Sequence, residues 1–320
     1  MLSLQQVVTV VTLRKHAGST DTSGVTRIPD IYTEKRALQQ PVISVEFFPP
    51  KSPRGDENLF QRVLPELVEA EPDFCSVTYG AGGSTRDKTL QVVDRIQREF
   101  DLVGMAHLTC LHSSISALSE YLTEAETRGI ENILALRGDP PVDFKDSIDT
   151  VKDFDYAYQL IEFIKGNSSV SIGCAGFPEG HIACKDTKQV DWKHLRNKIN
   201  CGAQFVLTQL FFDNSDYFEM ANYLQTSLGV TAPITPGVLP ILSTEQIKRF
   251  TALCGATLPQ SLATKLDELG NDDNAVRAFG IDYATRQCEE LLAGGAPGLH
   301  IYSLNRSRST VSILKNLGLR

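Results

Sequence analysis

The sequence predicts a (β/α)₈ barrel of the TIM type. From residue 40 onward, eight short apolar runs rich in β-branched residues alternate with segments of helical spacing. The first seven runs begin about thirty residues apart, which is the length of one βα unit. A doubly wound sheet is the alternative, but no GxGxxG fingerprint follows the first run. Eight alternating units of this kind are expected to close into a barrel.

The predicted strands are Val42–Phe48, Phe74–Gly80, Val103–Cys110, Asn132–Gly138, Val170–Phe177, Gln204–Phe212, Thr235–Ile241 and Leu299–Leu304. The clearest helical segments are Glu57–Ala70, Asp87–Phe100, Ile115–Arg128, Val151–Ile164 and Tyr217–Leu228. An extra helical segment, Leu258–Leu269, precedes the last strand. We expect residues 1–38 to form an N-terminal tail or strap, and residues 39–320 to form a single catalytic barrel.

Charge and cysteine content restrict the class of protein. The 320-residue chain has a formal net charge of −8 without long runs of one sign, which argues against nucleic acid and anionic membranes as partners. No apolar stretch approaches the ~20 residues of a membrane span. The seven cysteines include no CxxC pair, which indicates a reducing compartment and no metal site. We therefore expect a cytoplasmic protein, and we expect it to be a homo-oligomer.

Polar residues collect at the carboxyl end of nearly every predicted strand, where barrel enzymes of this type place their catalytic groups. Glu46 is the most informative of them, because it interrupts an apolar run. Period-two alternation places Ser44 and Glu46 on the barrel interior, and Val45 and Phe47 on the outer face. Burial is expected to raise the pKa of the Glu46 carboxyl, so that it can act as an acid near neutrality. A structural carboxylate paired with an arginine is the alternative.

Four further residues carry both a functional and a structural interpretation. Arg137 and Asp139 end the fourth strand before Pro-Pro, but such a pair is also common in surface turns. His107 is either a core histidine or part of a polar interior patch. Gln209 interrupts an apolar strand, and its amide needs either a core partner or a ligand.

A basic helical face precedes the sixth strand. His194 and Lys198 are four residues apart in a segment that begins near Asp191, so their side chains share one face of a helix. This face is suited to a pyrophosphate group. A solvated basic surface is the alternative.

Taken together, six motifs resemble those of the methylenetetrahydrofolate reductase family. They occur in the family's order over residues 40–310. The motifs are Val-Glu46-Phe-Phe-Pro-Pro-Lys, Ser-Val-Thr78-Tyr-Gly-Ala-Gly-Gly-Ser-Thr-Arg-Asp, His107-Leu-Thr-Cys, Leu-Arg137-Gly-Asp139-Pro-Pro, Thr-Gln209-Leu-Phe-Phe-Asp and Tyr302-Ser-Leu-Asn-Arg306.

The resemblance implies an enzyme of one-carbon and methionine metabolism that binds FAD in a barrel without a Rossmann fingerprint. It implies that NADH or NADPH reduces the flavin and leaves, and that 5,10-methylenetetrahydrofolate is then reduced to 5-methyltetrahydrofolate at the same flavin face. By the same resemblance, Glu46 is the general acid and Asp139 favours the cationic iminium form of the folate. Residues implied to contact the folate or the nicotinamide are Gln209, Phe250, Tyr302 and Arg306. Residues implied to hold the flavin are Thr78, Tyr79, Gly80, Ala81, His107, Arg137, Gly138, Asp139, Tyr156, Ala157, Phe177, His181, Asp191, His194 and Lys198.

One departure from the family pattern lies on the flavin side. Many relatives have Pro-Glu-Ala after the histidine that matches His181, and here the residues are Ile182, Ala183 and Cys184. The preference between NADH and NADPH stays open, because no ribose-reading motif is recognisable. Two alternatives remain at this stage: another flavin barrel similar to proline dehydrogenase, and a catalytically inactive barrel that serves as a subunit.

Overall fold

A computed structural model of the chain describes residues 27–79, 86–111, 113–139, 153–270 and 272–319. Eight parallel strands form a closed barrel in the order of the sequence, and β1 pairs with both β2 and β8. The strands are β1 Val42–Phe47, β2 Phe74–Val77, β3 Val103–Thr109, β4 Asn132–Leu136, β5 Ser171–Gly176, β6 Phe205–Leu210, β7 Ile234–Val238 and β8 Gly298–Tyr302. This arrangement confirms the predicted (β/α)₈ fold.

Helices surround the barrel. The described helices are α1 Ile28–Ala37, α2 53–68 with a π-helical turn at Leu59–Val63, α3 Arg86–Phe100, α4 Ile115–Thr127, α5 Ala157–Asn167, α6 Lys188–Cys201, α7 Asn214–Asn222, which continues into a π-helical turn at Tyr223–Ser227, α8 Thr244–Cys254, α9 Gln260–Leu269, α10 Asp273–Ala293 and α11 Ser307–Asn316. Helix α9 corresponds to the extra segment predicted at Leu258–Leu269 before the last strand. Within the described residues, no helix combines the length and apolarity needed to cross a membrane.

The start of α5 corrects one predicted boundary. The sequence pattern predicts a helix from Val151, but Tyr156 is extended and α5 begins at Ala157. The side-chain oxygen of Gln159 accepts the backbone N–H groups of Asp155 and Tyr156, at 2.8 and 3.0 Å. This local cap satisfies donors that a continuing helix would need, so the helix begins later than its apolar spacing suggests.

The alternation predicted for β1 is confirmed. Ile43, Val45 and Phe47 belong to the large apolar cluster between the barrel and its helices. Ser44 and Glu46 are buried polar residues whose partners lie on other strands inside the barrel. Because successive side chains of a strand point to opposite faces, the apolar side chains of β1 pack against the helices. Its polar side chains point into the barrel.

Helix α1 packs against the barrel interior. Its residues Ile28, Ile31 and Tyr32 join an apolar cluster with Phe74 and Phe205. The Tyr32 hydroxyl and Thr235 Oγ1 are 2.5 Å apart, so this hydroxyl is satisfied inside the barrel. The residues that carry these contacts lie at the amino ends of their strands, opposite the end at which the predicted site residues collect.

Candidate active site

The buried carboxyl of Glu46 lies near the carboxyl end of β1 and is held through a single oxygen. Ser76 donates to Glu46 Oε2 at 3.3 Å, and its strand position is paired with Glu46 in the β1–β2 register. The Nε2 atoms of His107 and His300 lie 3.4 and 3.5 Å from the same oxygen. Among the described residues, these partners are imidazoles and a hydroxyl rather than the arginine of the structural alternative.

Ser44 and His300 are site residues that the sequence reasoning did not assign. Ser44 Oγ lies 2.8 Å from His300 Nδ1, and the two residues are paired in the β1–β8 register. This contact fixes the ring so that Nε2 is directed toward Glu46. A signal was available, because His300 and Tyr302 are two apart on β8 and therefore share the interior face.

The protonation of Glu46 differs from the expectation. Burial raises the pKa of the carboxyl, but the His300 hydrogen bond, the charges of His107 and His300, and the Ser76 hydrogen bond together lower the Glu46 pKa below its ordinary value. The prediction that burial keeps this carboxyl protonated is therefore wrong. Its physical reason is that hydrogen bonds and positive charge favour the ionised form more strongly than burial disfavours it.

The pKa of His107 is lowered, so its charge acts on Glu46 only at acidic pH. Burial, opposed by the charge of Glu46, lowers the pKa of His107 to about 4. The Tyr121 hydroxyl donates to the His107 carbonyl at 2.9 Å and so fixes the backbone at this position. The Nε2 atom is near Glu46, but it makes no hydrogen bond of acceptable geometry with any described residue. A buried polar nitrogen in this state is suited to a polar group of a bound ligand.

A second cluster of charged residues lies at the ends of β4 and β5 and on α6. Burial raises the pKa of Asp191, opposed by the charges of Lys198 and His181. Burial and the charge of Arg137 lower the pKa of His181. Lys198 Nζ donates to the Ala175 carbonyl at 2.6 Å and lies 5.8 Å from the centre of the Phe177 ring. The structure therefore brings together the basic groups that the resemblance assigns to the flavin.

The residues present fit FAD. The Nε2 atom of His107, which has no hydrogen-bond partner among the described residues, could form a hydrogen bond with the flavin ring. Arg137 and Lys198 could bind the pyrophosphate of FAD. Gly138 has a φ of +86°, a conformation that favours glycine. A Cβ atom at this position would lie 3.0 Å from the Thr109 side chain, so the backbone can lie this close to Thr109 only at a glycine. Bound FAD would supply hydride chemistry at this site.

The irregular pairing of β6 affects Gln209. The β6–β7 register shifts between Leu207 and Leu210, and Gln209 lies within this irregularity. Its side-chain oxygen accepts the backbone N–H of Leu210 at 2.9 Å. The hydroxyl of Tyr302 donates to the Thr208 carbonyl at 2.6 Å, so that it links β8 to the same segment. Burial and the charge of Glu46 raise the pKa of Tyr302, and the hydroxyl stays protonated.

The other predicted residues are more peripheral. Phe250, on α8, packs with Tyr302 against one apolar cluster, whereas Arg306 is exposed at the start of α11. Asp139 is exposed, and its charge acts on His181. The remaining positions are partly buried Thr78, Tyr79 and Ala157, exposed His194, and exposed Tyr156, which stacks on Tyr158 at 6.0 Å. Gly80 and Ala81 lie outside the described residues.

This geometry defines a (β/α)₈ barrel with a polar mouth, a buried carboxyl hydrogen-bonded to His300 and Ser76, and a basic cluster at the ends of β4 and β5. A family model, methylenetetrahydrofolate reductase, matches residues 32–318. The chain belongs to the methylenetetrahydrofolate reductase family.

Three relatives illustrate the range of the family. A methylenetetrahydrofolate reductase (NADH) from Arabidopsis thaliana is 37% identical over 88% of this chain and 49% of its own length. A Caenorhabditis elegans relative, whose name specifies NADPH, is 35% identical over 92% of this chain and 44% of its own. A 5,10-methylenetetrahydrofolate reductase from Pectobacterium carotovorum is 32% identical over 87% of this chain and 90% of its own. The chain thus spans about half the length of the plant relatives that it matches.

The fold is also found among solved structures. An uncharacterized Clostridium thermocellum protein that binds two copies of 5-methyl-5,6,7,8-tetrahydrofolic acid superposes with a TM-score of 0.61. The alignment covers 90% of this chain and 98% of that protein at 16% identity, so it supports the fold alone.

Proposed function

We propose that this chain reduces 5,10-methylenetetrahydrofolate to 5-methyltetrahydrofolate with NADH or NADPH, through bound FAD. The observation that carries the proposal is the buried Glu46 carboxyl inside a polar barrel mouth that also contains the basic cluster. Membership of the family supports the substrate class. The names of relatives specify NADH in some cases and NADPH in others, so either nicotinamide is a candidate donor.

The proposed chemistry needs one proton at a defined point. The methylene carbon of the substrate bridges two folate nitrogens, and hydride can add to it only after one carbon–nitrogen bond opens. Opening leaves a cationic iminium and requires a proton on the departing nitrogen. We assign that proton transfer to Glu46, whose Oε2 is hydrogen-bonded to Ser76 and His300, while Oε1 has no hydrogen bond to any described residue.

The lowered pKa of Glu46 restricts how this acid works. A carboxyl that is ionised in the free site must regain a proton in each turnover. His300 is hydrogen-bonded to Glu46 and held by Ser44, so it is the neighbour placed to share a proton with the carboxyl. The charges of Glu46 and His107 act on each other, so these two residues are expected to titrate as a coupled pair rather than independently.

Asp139 has the complementary role. A carboxylate near the reacting carbon favours the iminium, because a cation is stabilised by a nearby anion that needs no reorganisation. Its exposed position at the end of β4 is compatible with contact to a ligand that covers the barrel mouth.

An activity assay with two donors and two acceptors tests the proposal. The purified protein, incubated with FAD, is expected to be yellow and to oxidise NADH or NADPH with either menadione or 5,10-methylenetetrahydrofolate as acceptor. A protein that remains colourless and inactive after FAD is added would support the inactive-barrel alternative. A yellow protein that reduces menadione and fails with the folate would contradict the substrate assignment.

A further inference from the structure

The loop that carries His181 contacts the residues at the carboxyl end of helix α8. We define the clasp as two contacts between this loop and the carboxyl end of α8. In the first, the Thr257 backbone N–H donates to both carboxylate oxygens of Glu179 at 3.0 Å. The two residues are 78 positions apart, so the contact is tertiary and not part of a local turn.

The second contact of the clasp joins Ile182 to Gly255. Gly255 ends α8 in the left-handed conformation, with φ of +76°. A side chain placed on Gly255 would meet Ile182 Cβ and Cδ1 at 3.2 Å, so the isoleucine packs directly on the bare backbone. Ile182 is otherwise 57% exposed, and this packing gives a reason for a large apolar residue at the surface.

Local contacts link the clasp to the basic cluster through His181. His181 Nδ1 accepts the Ala183 N–H at 3.0 Å, and the His181 and Phe177 rings pack edge to face at 4.5 Å. The His181 backbone is also hydrogen-bonded to Asp191. A displacement of Glu179 or Ile182 would therefore move the imidazole of His181, which lies between them in the sequence.

Helix α8 also carries Phe250, one of the residues that the family resemblance implies contact the folate or the nicotinamide. Phe250 lies five residues before Gly255 and packs with Tyr302 against the cluster around Leu239 and Ile241. The clasp thus joins the loop that carries His181 to the helix that carries Phe250. Neither Glu179 nor Ile182 belongs to the set of residues that the family resemblance assigns to ligands.

We infer that Glu179 and Ile182 are positioning residues, which couple the flavin-side loop to α8 and thereby set both the affinity for flavin and the position of Phe250. The inference rests on the proposed FAD site. Ile182 lies in the tripeptide at which this chain departs from the family pattern, so its contact with Gly255 depends on a residue of that departure. Coupling of this kind is reciprocal: bound flavin must stabilise the clasp as much as the clasp stabilises bound flavin.

The test compares Glu179→Ala and Ile182→Ala with Glu268→Ala. Glu268 lies on helix α9 and serves as the control. Among the described residues, Glu268 pairs only with Lys265, in an exposed ion pair, so its loss should leave flavin binding unchanged. Fluorescence titration of the apoprotein with FAD is expected to show about 5- to 10-fold weaker binding for each clasp variant, the low end of ordinary coupling between sites. At saturating FAD, the KM for the nicotinamide should rise while kcat for flavin reduction changes little.

Hydrogen exchange of the unmutated protein gives an independent measurement. The Thr257 amide is expected to exchange more slowly when FAD is bound. If FAD leaves that exchange rate unchanged, or if both clasp variants bind FAD as tightly as Glu268→Ala, the inference is wrong while the flavin proposal stands. If the unmutated protein binds no FAD, the proposed function fails first and the inference fails with it.

Discussion

His300 Nε2 lies 3.5 Å from Oε2 of Glu46, across the seam at which the last strand closes onto the first. This contact is the leading influence that opposes burial in the pKa of the carboxyl. The pKa of Glu46 therefore depends on a group of residues rather than on burial alone, and four predictions follow from the site.

Glu46→Gln keeps the size of the side chain and removes the proton donor. We expect reduction of the flavin by NADH or NADPH to stay nearly intact, because that step needs no proton on a departing nitrogen. The folate half-reaction should fall by a factor on the order of 10²–10⁴, the usual effect of a positioned acid. Stopped-flow absorbance of each half-reaction measures both rates. A near-normal folate rate in this variant would place the acid elsewhere.

His300→Leu removes the hydrogen bond that lowers the Glu46 pKa, while the carboxyl stays buried. With the largest contribution that lowers it removed, the Glu46 pKa should rise. The acid form would persist to higher pH, so the alkaline limb of the folate half-reaction should move upward relative to the unmutated protein. A pH profile from single-turnover measurements tests this direction. Ser76→Ala, which removes a smaller contribution from the same oxygen, should move the limb by less.

Asp139→Asn should slow the folate half-reaction more than it slows flavin reduction. The carboxylate is expected to stabilise a cation that exists only when folate is bound, and the amide retains shape without the charge. Half-reaction kinetics at saturating concentrations of each substrate provide the comparison. Equal slowing of both steps would assign Asp139 a structural role at the end of β4.

His107 makes the stability of the ligand-free protein depend on pH. Its pKa is 6.5 in an unfolded chain and about 4 in the fold, so the unfolded state binds the proton more readily. The contribution of His107 to the free energy of unfolding is therefore fully present above pH 6.5. It is lost as the pH falls toward 4, by at most about 3 kcal/mol. Urea unfolding at pH 7 and pH 4.5 should show this loss. His107→Gln should reduce the difference, and an unchanged difference would mean that other groups dominate.

Local pattern was sufficient for the architecture. The period-two alternation of β1 placed Glu46 and Ser44 inside the barrel, because successive side chains of a strand must face opposite sides. The spacing of the apolar runs predicted all eight strands to within a few residues at their ends. The start of α5 was misplaced, because the Gln159 cap competes with helical propensity in a way that apolar spacing does not register.

Burial of Glu46 was determined by the sequence alone, and its protonation was decided by the tertiary structure. The groups that lower its pKa come from Ser76, 30 residues away on β2, and from His300, 254 residues away on β8. The clasp between Glu179 and Thr257 likewise joins segments 78 residues apart. A pKa is the sum of burial, hydrogen bonds and charges at one point in space, and only the closed barrel brings those contributions together.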